Sequence, residues 1–209
     1  MVHSRKLTYA LVVGWLLAVC TGMAVLVNYE TRPGLAGTVD KVWPAGSALP
    51  RPNGTPQLVL FVHPRCPCTR ASIRELDRIM AHCRGRLTVV VALLDPSDRD
   101  SSWTETDLYD SAAAIPGVQV LMDIDGASAR LFGVETSGHA MLYDAHGSLV
   151  FSGGITASRG HSGDNDGATA IIEFVRQPQA RLSHSGTPLM RSQVFGCRLF
   201  HASEQGSAR

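Results

Sequence analysis

The 209-residue sequence predicts an α/β fold, a central mixed sheet flanked by helices, behind one N-terminal transmembrane helix. Three observations predict it. The chain opens with a long uncharged apolar run. Short apolar stretches of strand length then alternate with stretches of helical apolar spacing. The last two strand signals are separated by a tight-turn sequence, which makes the end of the sheet antiparallel. Lys+Arg number 19 against 18 Asp+Glu, a net charge of +1, so the basic footprint of a nucleic-acid binder is missing and no such partner is expected. Hydrophobic residues make up 44% and charged residues 18%, which excludes a disordered chain and fits a membrane segment.

The anchor runs from Thr8 to Val27 (TYALVVGWLLAVCTGMAVLV). A helix needs about 20 apolar residues to cross the hydrocarbon core. Arg5 and Lys6 precede it, and no comparable basic cluster follows. The positive-inside rule therefore keeps the N-terminus in the cytoplasm of a bacterial inner membrane and the domain in the periplasm or extracytoplasmic space. Two alternatives are a cleaved signal peptide and lipidation at Cys20. The first usually has a shorter apolar region, and the second sits badly with the bulky Val19. Cys20 otherwise reads as a lipid-facing helix residue. The chain then divides into residues 1–30 (cytoplasmic N-terminus and anchor), 31–55 (a Pro/Gly-rich extended linker), 56–178 (the folded domain) and 179–209 (a tail carrying Cys197).

Within the domain, Gln57–His63 and Leu87–Leu94 are continuous apolar runs, the mark of strands buried on both faces. Between them Cys68–Cys83 places Ile73, Leu76, Ile79 and Met80 at helical spacing, and Gly85 stops that helix. Asp107–Ala114 is a helix ended by Pro116-Gly117. Val118–Met122 is a strand, and Ala127–Phe132 a short helix. Met141–Tyr143 and Leu149–Phe151 form a hairpin around Asp144-Ala145-His146-Gly147. Ala168–Arg176 is a final amphipathic helix, with Asp164 or Asp166 as its cap. There is no internal repeat.

The chemistry lies in His63-Pro64-Arg65-Cys66-Pro67-Cys68-Thr69-Arg70, between the first strand and the first helix. A cysteine at a helix N-terminus meets the positive end of the helix dipole, which favours thiolate. Arg65 and Arg70 add positive charge. Pro67 stiffens the chain between the sulfurs, and a disulfide across one residue closes a small, easily reduced ring. Cys66 is expected to be the exposed nucleophile and Cys68 its partner, exchanging through a mixed disulfide with a protein or small thiol or disulfide substrate. His63, Arg65 and Pro67 would support them.

This arrangement resembles the thioredoxin-like superfamily. Leu121–Gly126, Phe132-Gly133-Val134 and Met141–Asp144 are similar to the membrane-anchored extracytoplasmic thioredoxins of the TlpA type, and among them to the subgroup labelled RedB. The resemblance implies a thiol–disulfide oxidoreductase that needs no cofactor. Two positions depart from it. The usual Cys-x-x-Cys motif is here Cys-Pro-Cys, with Arg65 where the first cysteine would stand. The usual cis-proline is replaced by Gly138 in Thr136-Ser137-Gly138-His139-Ala140. The proline and Thr/Ser spacing of a peroxiredoxin is absent. A copper-binding or copper-delivery protein of the Sco type remains the alternative, with Cys66 and Cys68 as soft ligands and His63, His139 or His161 completing a site. A partner-binding domain without catalysis is a third reading.

The topology also orders the loops. The strand around Phe151 should run parallel to the first strand, so residues 153–166 leave the sheet at the edge that carries Cys66. Asp95 and Ser137–Ala140 should lie there too. His161 is the expected proton carrier in that loop, while His146 belongs to the opposite edge. His82, His184 and His201 read as surface residues. Cys83 lies about 22 Å from Cys68 along a helix, too far to pair. Cys197 sits in the apolar island Val194–Phe200 of a polar tail. It can clamp Cys83, resolve a disulfide at Cys66 or Cys68, or stay a thiol.

Overall fold

The computed structural model describes residues 2–177 and 189–200, in two compact units. The first, residues 1–32, holds the single helix α1 (Val2–Thr31). Its stretch Arg5–Thr31 is 27 residues long and apolar enough to cross a membrane. At about 1.5 Å per residue that exceeds a hydrocarbon core of about 30 Å. Leu11, Trp15, Leu16, Val19 and Met23 are all exposed on it, as is Cys20.

The second unit, residues 33–209, is built on a six-stranded sheet. Its elements are β1 (Gln57–Val62), α2 (Thr69–His82), β2 (Thr88–Asp95), α3 (Asp107–Ala113), β3 (Val118–Ile124), α4 (Ala127–Leu131), β4 (His139–Tyr143), β5 (Leu149–Gly154), α5 (Asp166–Arg176) and β6 (Met190–Arg191). The strand order is β3-β2-β1-β4-β5-β6. β1, β2 and β3 are parallel, and β4 is antiparallel to β1, with Phe61 opposite His139. β5 is antiparallel to β4 and therefore parallel to β1. The carboxyl ends of β1 and β5 and the amino end of β4 thus share one edge of the sheet.

β1 is apolar at nearly every position because both of its faces are covered. Leu58, Leu60 and Val62 join a core with Ile73, Leu76 and Ile79 of α2 and Ile171, Phe174 and Val175 of α5. Val59 and Phe61 face the other layer, with Trp43, Phe132 and Tyr143. Gly85 has φ +70°, the left-handed conformation that lets the chain leave α2 without Cβ strain.

The structure revises several sequence-based bounds. β3 continues to Ile124, β4 starts at His139, and β5 runs on through Ser152, Gly153 and Gly154. Those last residues lack an apolar signature, yet they pair with β4. The cap of α5 is Asn165, whose side chain accepts the Ala168 N–H at 2.7 Å; Asp164 and Asp166 flank it. The Pro/Gly-rich stretch is not a free spacer. Trp43 and Leu49 are buried, and the Trp43 ring stands edge-on to Phe132 and Tyr143 at 5.0 and 4.9 Å. Trp43 N–H donates to Gly147 O, and Leu149 N–H to Lys41 O. The described part of the tail, residues 189–200, is packed too, with Val194, Phe195, Leu199 and Phe200 buried. His184 and His201 lie outside the described residues.

Candidate thiol site

The turn that follows β1 is wound tightly. Cys66 N–H donates to His63 O at 3.1 Å, Thr69 N–H to Cys66 O at 3.1 Å, and Ala71 N–H to Cys68 O at 3.2 Å. Cys68 is the N-cap residue of α2, at φ −66° and ψ −29°. The Cys66 sulfur therefore stands one turn before a 14-residue helix, where backbone N–H groups and the dipole favour an anion. A relay of hydroxyls supports it. His63 N–H donates to Ser137 Oγ at 2.8 Å, and Ser137 Oγ lies 2.7 Å from Thr69 Oγ1. The Thr69 hydroxyl donates to Cys66, so its oxygen accepts the Ser137 hydroxyl hydrogen.

The tail completes the site. Cys66, Cys68 and Cys197 hold their sulfurs within 4.8 Å of one another. Cys197 N–H donates to Cys66 Sγ at 3.4 Å. Ser137 N–H donates to Cys197 O and Leu199 N–H to Glu135 O, and an antiparallel bridge pairs Thr136 with Arg198. The tail thus runs as an edge partner along residues 135–137. Gly34 N–H holds it from the other side through Val194 O at 2.8 Å. Gly196 is required where it passes Ser137, because a Cβ would fall inside the Ser137 carbonyl. Phe200 lies under the Arg130 guanidinium, 4.1 Å from its ring centre.

The protonation states follow from these contacts. The Cys66 thiol is lowered to about 4, first by the hydrogen bond from the Cys197 thiol and then by donors on Thr69 and the Cys197 backbone, against the opposing effect of burial. Cys197 is pushed up, first because its hydrogen serves Cys66 and then by burial. Burial, then the Cys66 charge, raises Cys68, while the Arg159 guanidinium beside it works the other way. One thiolate, at Cys66, is shared among three sulfurs.

The expectation that Cys66 is the exposed sulfur is not met. It is 2% exposed, because the tail lies across it, and Cys68 is 7% exposed. Cys66 also lines a cleft of about 260 Å³ together with Arg65, Pro67, Arg70, Thr106 and Leu108 among others, none of them tail residues. Arg65 and Pro67 are exposed at this rim. The Arg65 guanidinium sits over Trp103, and the His63 ring stands edge-on to the same indole at 5.2 Å, with Nδ1 accepting the Arg65 N–H. Arg70 is paired with Asp107.

At the departures from the usual motif, the chain contains no cis peptide among the described residues, and Gly138 adopts φ +86°. Its N–H donates to Phe61 O, and a Cβ there would meet Ser72 Oγ at 2.9 Å. In the loop after β5, the residue set against the thiols is Arg159, which also donates to Gly196 O. His161 is exposed, with Nδ1 on Arg159 O at 2.8 Å. The turn Ser158–His161 closes with Arg159-Gly160 at its tip, and this sends the guanidinium toward the tail. His139 is buried under β5, on Ser152 Oγ at 2.8 Å, and is held down to about 4, mainly by burial. Among the described residues, no histidine belongs to the sulfur group. Cys83 is wholly buried in the α2 and α5 core and does not accompany Cys197. No disulfide joins any of the cysteines.

No family model matches the chain, and no curated protein matches it. Solved structures do. An uncharacterized conserved protein of Geobacillus kaustophilus superimposes with a TM-score of 0.57 at 14% identity, over 82% of this chain and 93% of that one. A hypothetical protein of Sinorhizobium meliloti 1021 gives 0.55 at 19% identity, over 83% and 98%. A putative thiol:disulfide interchange protein DsbE of Chlorobium tepidum gives 0.47 at 21%, over 68% and 98%. The β1-α2-β2 unit, the antiparallel β4-β5 hairpin and the closing α5, in the order β2-β1-β4-β5, decide the architecture. The domain has a thioredoxin-like fold. That frame accounts for the place of Cys66, at the strand-to-helix turn on the sheet edge. It does not distinguish the TlpA-type or RedB-labelled branches, and it does not account for the tail.

Proposed function

We propose that this protein is a thiol–disulfide oxidoreductase anchored by α1, with its domain outside the cytoplasmic membrane and Cys66 as the nucleophile. The observation that carries the reading is the Cys66 sulfur itself. It is held as a thiolate at neutral pH by four donors, and it lies within reach of two further thiols. The thiolate is the attacking species in disulfide exchange, and a low-pKa sulfur is also a good leaving group. A second thiol of the cluster then releases the substrate. Buried sulfurs that were merely packed would have raised pKa values, as Cys83 does. The test is exchange with a small-molecule disulfide by the full chain in detergent. Thiol release that is lost in Cys66→Ser supports the reading; release that persists in Cys66→Ser, or none in the parent, overturns it.

One observation favours a second reading. Three sulfurs within 4.8 Å form a soft donor set suited to Cu(I). Here Cys66, Cys68 and Cys197 would hold the ion. Anaerobic loading with Cu(I) and elemental analysis separates the two. Stoichiometric copper that blocks alkylation, without disulfide exchange, supports the metal reading.

A further inference from the structure

We propose that Cys197, not Cys68, is the thiol that closes the disulfide with Cys66, so that the tail is both a built-in part of the site and its redox latch. The inference rests on the oxidoreductase reading and specifies its second cysteine.

Three observations carry it. First, although the Cys66 and Cys68 sulfurs also lie within 4.8 Å, the two residues stand two apart in a wound turn, where a disulfide would close a small ring around one intervening residue and depart from relaxed geometry. Pro67 between them restricts the backbone adjustment that such a ring requires, in a turn held by the Thr69 N–H to Cys66 O bond. Second, Cys197 is delivered from another part of the chain, with its N–H already on Cys66 Sγ at 3.4 Å. Its place is fixed from several directions. Its carbonyl takes the Ser137 N–H, the preceding Gly196 carbonyl takes Arg159, Val194 takes Gly34, and Phe195 and Leu199 are buried on either side. Such anchoring is what makes an intramolecular attack fast. Third, Cys66 also lines a cleft with Arg65, Pro67 and Thr106 to which no tail residue contributes, the side from which the proposal brings in the substrate disulfide. The Thr106 hydroxyl in that cleft is buried without a hydrogen-bond partner.

The steps balance. The Cys66 thiolate bonds to one sulfur of a substrate disulfide and expels the other half as a thiolate. Cys197 then attacks Cys66 Sγ, its proton passing to the departing half, which leaves as a thiol. The substrate gains two electrons, and two cysteine thiols become one disulfide. Run backward, the Cys66–Cys197 disulfide oxidises a dithiol.

The experiment treats the full chain in detergent with a small-molecule disulfide, quenches with acid, and maps the tryptic peptides by mass. Cys66–Arg70 and Ser192–Arg198 are separate peptides, so the two pairings differ in mass. The expected product is the cross-linked pair. It persists in Cys68→Ser and is lost in Cys66→Ser. In Cys197→Ser the mixed disulfide at Cys66 accumulates, and release of its second half slows by about tenfold or more. A parent that yields only the internal Cys66–Cys68 ring overturns this proposal and leaves the oxidoreductase reading standing. A parent that forms no disulfide and no adduct overturns both.

Discussion

Replacing Cys197 with alanine should raise the pKa of Cys66, and the size of the rise follows from the contacts. Cys66 is held at about 4, and the hydrogen bond from the Cys197 thiol contributes most to that. Alanine removes this donor and leaves the Cys197 backbone N–H and both Thr69 donors in place. A hydrogen bond to a charged acceptor is worth roughly 1.5–3 kcal/mol, and one pKa unit about 1.4 kcal/mol. The Cys66 thiol should therefore move up by about 1–2 units. Serine at the same position restores an O–H donor and should recover most of the shift. The assay is ultraviolet thiolate absorbance against pH, in a Cys68→Ser background that removes the neighbouring titration. Iodoacetamide rates over the same range give a second reading. Cys66 titrating at the same pH in the parent and in Cys197→Ala would falsify the argument, because the helix terminus and Thr69 would then be sufficient alone.

Gly196→Ala should dislodge the tail, because the new Cβ meets backbone rather than a side chain that can move aside. Overpacking of this kind costs about 1–3 kcal/mol, measured by thermal unfolding, and Cys66 should alkylate faster; an unchanged midpoint contradicts the packing described. Glu75 is buried and accepts from Gly163 N–H at 2.7 Å, from Asn165 and from Arg78. Glu75→Ala should cost about 1–3 kcal/mol and expose residues 156–165 to protease, while an unaltered digest counts against that anchoring role. His139 sets an acid limit. Its folded pKa lies near 4, below the ordinary imidazole value, so the stability tied to its neutral form is complete above the ordinary value and is lost as pH falls toward 4. His139→Gln should flatten unfolding free energy across that window, and an acid limb as steep as the parent's assigns it to other groups.

Much of this architecture is written locally. β1 and β2 are legible because strands covered on both faces must be apolar throughout, and α2 because Ile73, Leu76, Ile79 and Met80 recur on one face. The antiparallel hairpin follows from its turn residues. What local pattern does not carry is pairing at a distance. β6 is two residues long, with no periodicity to detect. Val194–Phe200 stands out as an apolar island, but nothing near it in sequence identifies Thr136, Ser137 and Gly34 as its partners. Topology brings the loop after β5 to the edge that carries Cys66, yet chemistry alone favours His161, whereas the tight turn at Gly160 presents Arg159. The same holds for Trp43: a proline-rich stretch reads as extended spacer until the aromatic pocket that receives the indole is known.

The separation of 131 residues between Cys66 and the amide that holds it has a consequence for biogenesis. A chain emerging vectorially, amino end first, presents the Cys-Pro-Cys turn long before residue 197 exists to cover it. Until then the sulfur lacks its strongest donor, and its pKa stands higher than in the finished site. The surroundings of the nucleophile are thus completed only by residues made 131 positions later. Premature termination a few residues short of Cys197 would leave a chain with most of its sheet and helices intact but with a sulfur short of its strongest donor and of the third thiol.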